Sequence, residues 1–249
     1  MLKRITICLI AFLGWSSTAY SQVRSRFEEE ISVGVQGGMA LSQVRFMHND
    51  ITYANNLGDL GYRKGADVGV AVRFIAQKHF GLQLEASYIQ GGWYERWNDY
   101  TVVNEQQFIG GTIEREIDYL SIPLLAHIYF GNTHRLFFNF GPKMGLLMKT
   151  GENKTNLTAG QQQAILTNNW NDPRLNEDIE ENNVDFGLCV GAGYEFRLSK
   201  LSILAEARWN YGLKDVFEHD RSAVFQRSNN QMFTFTLGVM MPVLKFHSN

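Results

Sequence analysis

Two cysteines and four prolines among 249 residues are the first things this sequence is short of. Cys8 lies in an N-terminal apolar stretch, so the remainder of the chain holds only Cys189 and cannot form an internal disulfide. Scarce proline beside 23 glycines suits long strands joined by turns. Charge of one sign is also lacking: the formal net charge is −2, which gives no basic field for nucleic acid. Beyond the N-terminus no apolar run approaches the ~20 residues of a spanning helix. The nearest, "YLSIPLLAHIYFG", is short and contains Pro123.

What is present begins with "MLKRITICLIAFLGWSSTAYSQ". Lys3 and Arg4 precede an apolar core over 5–15 and a small-x-small site at Ala19-Tyr20-Ser21, the pattern of a secretory signal peptide over residues 1–21. Its removal leaves 22–249 as one domain and takes the charge from −2 to −4, because two bases and no acids leave with it.

The rest is dominated by strict alternation. In "LSILAEARWNYGL", Leu201, Ile203, Ala205, Ala207, Trp209, Tyr211 and Leu213 share one face, while Ser202, Glu206, Arg208 and Asn210 fill most of the other. A period of two is that of a strand. Seven more such segments start near Ile31, Ala66, Phe80, Tyr119, Arg135, Asp185 and Met232. Eight strands follow, each near the ~9–11 residues a tilted strand needs to cross a bilayer. Connections alternate between tight turns, at 77–79, 131–134 and 198–199, and long polar loops, at 43–63, 95–112, 150–182 and 214–229. This pattern predicts an all-β, eight-stranded antiparallel up-and-down barrel with every long loop at one end and both termini at the other.

An apolar face can look inward, as in a soluble ligand-binding barrel, or outward, as in a membrane barrel. Bulk separates the two. The apolar faces carry Leu, Phe, Val and Tyr, whereas the polar faces carry many glycines, among them Gly69, Gly141, Gly187, Gly191, Gly193 and Gly238. A narrow eight-stranded interior needs small residues between a few long ones; a water-facing surface does not. Aromatics gather at both ends of the apolar faces: Phe74, Phe80, Phe130 and Phe196 at the turn end, Tyr88, Trp209 and Tyr211 at the loop end. The apolar face therefore looks at lipid, which makes outer-membrane lipid the first partner and gives short periplasmic turns, long extracellular loops and periplasmic termini.

Ten charges are expected in the lumen: Asp67, Glu85, Asp185, Glu195 and Glu206 against Arg73, Arg135, Lys143, Lys149 and Arg208. Five acids and five bases read as a packed plug of ion pairs, with Arg73 diagonal to Glu85 across a hairpin.

"DYLSIPLLAHIYFG", "FNFGPKMGLLM", "DFGLCVGAGYEF", "LAEARWNYGLKDV" and "FTFTLGVMMPV" together resemble the Bacteroidetes outer-membrane β-barrel family, the PorT-type or "porin family" proteins, over roughly 31–246. The Ile122-Pro123 pair and the Gly-Ala-Gly-Tyr stretch at 191–194 carry much of that resemblance. It implies an eight-stranded outer-membrane barrel, mostly of unassigned role, with one branch assisting type IX secretion, and it supplies no catalytic residues. The chain departs from the usual outer-membrane ending, since Phe246 is followed by His247-Ser248-Asn249.

Little else carries chemistry. The six histidines form no metal spacing, and no cofactor is expected. His219, Asp220 and Ser222 cluster on a loop near the rim, but three neighbouring loop residues do not satisfy triad geometry. Two Asn-x-Thr triplets, at 153–155 and 156–158, read as loop residues. The loop 150–182 combines Asp172, Glu177, Asp178, Glu180 and Glu181 with Trp170 and Leu175, an acidic surface with an aromatic–aliphatic anchor suited to an envelope protein partner. The expected role is a non-enzymatic structural or interaction protein of the envelope. The alternatives are a small-solute channel, which needs an open lumen, and a lipid A-modifying barrel enzyme, which rests on the 217–222 cluster alone.

Overall fold

The computed structural model describes residues 28–48, 59–96, 101–103, 106–108, 111–155, 158, 182–217 and 225–247. Residues 1–27 lie outside them, so the signal-peptide expectation has no structural counterpart. Eight long strands close into one antiparallel barrel: β1 (Glu28–His48), β2 (Asp59–Gln77), β3 (Phe80–Arg96), β6 (Thr112–Phe130), β7 (His134–Thr155), β8 (Val184–Arg197), β9 (Ser202–Asp215) and β10 (Phe225–His247). A small hairpin, β4 (Thr101–Val103) with β5 (Gln106–Phe108), lies in the connection between β3 and β6. Every barrel strand pairs with its sequence neighbour, and β1 pairs with β10 to close the ring, bringing Glu28 opposite His247. Both ends of the barrel chain thus emerge at the end that carries the tight turns.

Those turns are built as the sequence suggests. His79 and Gly131 take positive φ (76° and 109°) to reverse the chain within a few residues, and Leu198 donates its N–H to the Leu201 carbonyl at 2.7 Å to close the third turn.

The apolar alternation points outward. Val35, Val70, Leu84, Phe138, Val190, Trp209 and Leu237 are all exposed, Leu237 at 68%. In a water-soluble protein such a belt would be an aggregation surface; around an eight-stranded cylinder it is the lipid band. The strands run to between 14 and 23 residues, longer than the ~9–11 that cross a bilayer. The excess projects at the loop end, so parts of the segments expected as loops, 59–63, 150–155 and 225–229 among them, are strand. This projecting crown reverses the polarity rule. On β6, Ile113, Arg115, Ile117 and Tyr119 point inward, and Glu114, Glu116 and Asp118 take the outer side, continuous with Leu120, Ile122 and Leu124.

Proline stands at two of the irregular places in the wall. Pro123 has no N–H to give the ladder, and pairing between β3 and β6 lapses from Leu84–Leu124 to Ser87–Ser121. Pro242 stands at the β1–β10 register shift beside Ile31 and Ser32.

Candidate functional site: the lumen and its crown

The lumen is filled at three levels. At the turn end Ala71, Ile75, Tyr129, Phe137, Leu204 and Met240 form a buried apolar cluster. At the loop end Val44, Phe46, Trp93, Ile117, Tyr119, Val216 and Phe217 form another, with Leu60 and Leu147 packed against it. The indole of Trp93 meets Phe46 edge-on at 5.5 Å and Phe217 at 5.9 Å. Val216 and Phe217 are turned into the barrel mouth by hydrogen bonds to Ser228: the Val216 N–H reaches its carbonyl at 2.7 Å, and the Phe217 N–H its hydroxyl at 3.2 Å.

Between these caps lies the polar layer, centred on Arg208. Its guanidinium donates to both oxygens of Glu85 at 2.8 Å and to Glu206 at 2.9 and 3.1 Å. This fork-to-carboxylate geometry is the strong form of the ion pair. Glu206 also accepts from the Asn139 amide at 3.0 Å, and the Asn139 carbonyl oxygen accepts from His127 Nδ1 at 2.7 Å. That contact makes Nδ1 the protonated nitrogen of a wholly buried ring and leaves Nε2 as an acceptor without a hydrogen-bond donor among the described residues. Gln36 and Gln83 donate to Glu85 as well, at 3.0 and 2.5 Å. Arg73 bonds Gln83 at 2.6 Å and Glu195 at 2.9 Å, and Lys143 bonds Asp185 at 3.0 Å. The glycines make room for this layer: a Cβ on Gly191 would stand 2.4 Å from the Glu206 carboxylate, and one on Gly193 2.2 Å from the Phe137 ring. A cavity of about 10 Å³ beside Arg73, Gln83 and Glu206 has room for about one water.

Nine of the ten expected lumen charges are buried inside: Asp67, Arg73, Glu85, Arg135, Lys143, Asp185, Glu195, Glu206 and Arg208. Lys149 is not. One extra residue in β7, Met148, bulges between the Asp118–Lys149 and Tyr119–Leu147 pairs, which flips the strand's phase. Lys149 is therefore on the outer side, 59% exposed, and bonds Glu116 at 3.0 Å. The expected balance of five against five becomes five acids against four bases. The Arg73–Glu85 diagonal is not formed either: Arg73 finds Glu195 across the lumen, and Glu85 is taken by Arg208. Arg135 caps the turn end, its guanidinium 4.2 Å from the Tyr129 ring centre and its Nε donating to the Asn132 carbonyl at 3.1 Å.

Two clusters were not legible as sites. On the outer side of the crown, Arg63 reaches over Gly92 (φ 123°) to Glu114 at 2.8 Å and Glu116 at 2.9 Å, with Asp118 at 3.9 Å. The Tyr88 hydroxyl donates to Asp118 at 2.6 Å, and the hydrogen bond from Lys149, with the Arg63 charge behind it, holds the Glu116 carboxyl below its ordinary range. At the turn end Arg197 bonds Glu30 at 2.6 Å. Ser32 donates its hydroxyl to the same carboxylate at 2.9 Å. The signal for the crown cluster was the phase of "TIEREID", where acids at even positions continue the lipid-facing column.

The loop residues Trp170, Asp172, Leu175, Glu177, Asp178, Glu180 and Glu181, and the cluster His219, Asp220 and Ser222, lie outside the described residues. Among the described residues no three His, Cys, Asp or Glu side chains gather as metal ligands. Cys189 is buried and donates to the Gly141 carbonyl at 3.4 Å.

No curated protein sequence matches the chain. Solved structures similar to it include Neisserial surface protein A, at 12% identity over 85% of this chain and 97% of that one with a TM-score of 0.41. OprG of Pseudomonas aeruginosa is similar at 11% identity over 88% and 98%, TM-score 0.43. A major outer membrane protein of Thermus thermophilus matches at 12% identity over 86% and 99%, TM-score 0.43. A sequence model of the outer membrane protein beta-barrel domain matches residues 20–218, and the chain belongs to that family.

Proposed function

We propose that this outer-membrane barrel is a non-conducting, non-enzymatic interaction protein of the envelope, with its specificity in the long loops. The observation that carries this reading is the lumen: two apolar caps enclose a polar layer whose arginines and carboxylates are joined across the barrel. A barrel so filled offers no path for a solute, which weighs against the channel reading. Rigid scaffolds commonly carry recognition on their loops. The acidic 150–182 segment, with Trp170 and Leu175, fits a basic or cation-bridged envelope partner.

In this reading residues 1–21 direct export, and the tight turns and both termini face the periplasm. The resemblance of the five quoted stretches to PorT-type proteins of Bacteroidetes favours an envelope or type IX secretion accessory among the family's roles. The test is twofold. Purified protein in a planar bilayer should show no stable porin-sized steps. Replacing 153–180 with a short Gly/Ser linker should leave the barrel folded and heat-modifiable on gels while abolishing partner co-purification from outer membranes. Reproducible large channels that survive this replacement would overturn the filled-lumen reading. Unchanged co-purification would move recognition off this loop.

A further inference from the structure

We propose that the lipid-facing wall of β7–β10 holds a binding pit for one phospholipid acyl chain, with the headgroup phosphate at the turn end near Lys200 and His134. The pit follows from the register. One cross-strand row runs Phe138, Ala192, Ala207, Phe235, and the next runs Leu136, Tyr194, Ala205, Leu237. Phe138 and Phe235, and Leu136 and Leu237, stand on the outer strands; the floor between them is Ala192, Ala207 and Ala205, with Tyr194 on β8 closing its turn-side corner. The result is an apolar depression of about 550 Å³. The rows on either side refill the wall: Phe140, Val190, Trp209 and Phe233 toward the loops, and His134, Phe196, Ile203 and Val239 toward the turns.

Its depth selects the occupant. The pit lies inside the apolar band, where the surrounding medium is hydrocarbon. An empty pit would leave its lining without contact partners on one side, and the nearly unbroken apolar lining gives water nothing to bond. A rigid second barrel would rest on the rim of Leu136, Phe138, Phe235 and Leu237, whereas a flexible chain can enter the pit and fill it.

The turn-side edge carries the polar chemistry. His134 is exposed, pairs through Nδ1 with the Tyr194 hydroxyl and lies tilted against the Phe196 ring, 4.9 Å between ring centres. The turn that joins the two floor strands carries Lys200, also exposed. A cationic side chain on the turn of the floor strands and a polar His134–Tyr194 pair on the same turn-side edge complement a lipid phosphate. The inference rests only on the barrel's membrane location, not on the role of its loops.

Native mass spectrometry of the full chain, released from vesicles of equal dioleoyl-phosphatidylglycerol and dioleoyl-phosphatidylcholine, tests it. The wild type should retain a phospholipid, with the anionic lipid enriched. A192L/A207L, which fills the floor with apolar bulk, should lose the lipid while remaining heat-modifiable; A207V is a milder filling should the double variant fail to fold. H134S/K200S should keep a lipid but lose the preference for the anionic headgroup. Equal retention by wild type and floor-filled barrels would overturn the pit, as would efficient pairing of two copies through a bifunctional cross-linker at A207C. Loss of heat-modifiability in the wild type would instead strike the barrel reading itself.

Discussion

In the middle of the membrane band the outer face is Val, Leu and Phe and the lumen layer is Arg, Glu, Gln and His; in the crown above it, Trp93, Phe46, Ile117 and Val44 fill the interior beside Arg115, and the outer side carries Glu114, Glu116, Asp118 and Lys149. The same eight strands run through both regions with the same two-residue period. Only the solvent outside changes. Hydrocarbon accepts apolar side chains at no cost and confines charge to the lumen, where the charges must pair. Water outside the crown restores the ordinary rule, so large apolar side chains retreat inward and Glu114, Glu116 and Lys149 stand outside, while Arg115 stays in and is paired with Glu152. A strand's alternation reports which residues share a face, but the medium decides which face is which.

Breaking the interior of the band should have the largest effect. Arg208→Met leaves Glu85 and Glu206 buried without their cation, which by analogy with other buried pairs costs about 3–5 kcal/mol. Urea unfolding in lipid vesicles measures it, and adding Glu85→Gln to the same chain should recover part of the loss. Ile117→Ala opens a cavity in the crown core at about 2–5 kcal/mol. Because that core lies above the bilayer, the loss should show first as faster hydrogen exchange at the loop end, with the band still protected.

Outward-facing arginine separates the two regions most cleanly. Ala205→Arg, in the lipid band, should destabilise by roughly 2–4 kcal/mol, whereas Ala205→Leu should be close to neutral. Thr112→Arg, outward in the crown, should stay within about 0.5 kcal/mol. Vesicle-folding titrations compare them directly, and an arginine equally costly or equally harmless at both positions would erase the distinction.

The smallest effect is electrostatic. Glu116 has a lowered folded-state pKa, first through its bond from Lys149, so its contribution is present above the unfolded carboxylate value and is lost as pH falls through the folded one. The window is acidic, below the ordinary value of 4.5. Crown hydrogen exchange should quicken there, and Lys149→Met should flatten most of that dependence. An exposed pair contributes little, so the band should not respond to this change.

Much of this molecule was legible in one dimension. The alternation through Ala205, Trp209, Val70, Leu84 and Phe138 fixes eight strands and their shared faces, because side-chain direction along a strand depends on nothing beyond the chain. The turns at His79, Gly131 and Leu198–Leu201 are local as well, as is the need for small residues such as Gly191 and Gly193 in a narrow interior. Nine lumen charges follow from the same parity.

The tertiary structure decided what depends on groups far apart in the chain. Arg73 meets Glu195, 122 residues away, rather than Glu85 in its own hairpin, because the lumen is narrow enough for long side chains to cross it. Met148 bulges and turns Lys149 outward, a break in phase that alternation counted from Arg135 cannot foresee. The crown's inverted polarity depends on how far each strand projects past the lipid, and that is set by closure and tilt of the whole barrel. The Ala-floored pit exists only because the register aligns Ala192 with Ala207 and puts Phe138 and Phe235 on either side. Parity along a strand is a property of the backbone and can be read from the sequence. Which residue stands opposite, and which medium lies outside, are properties of the closed barrel.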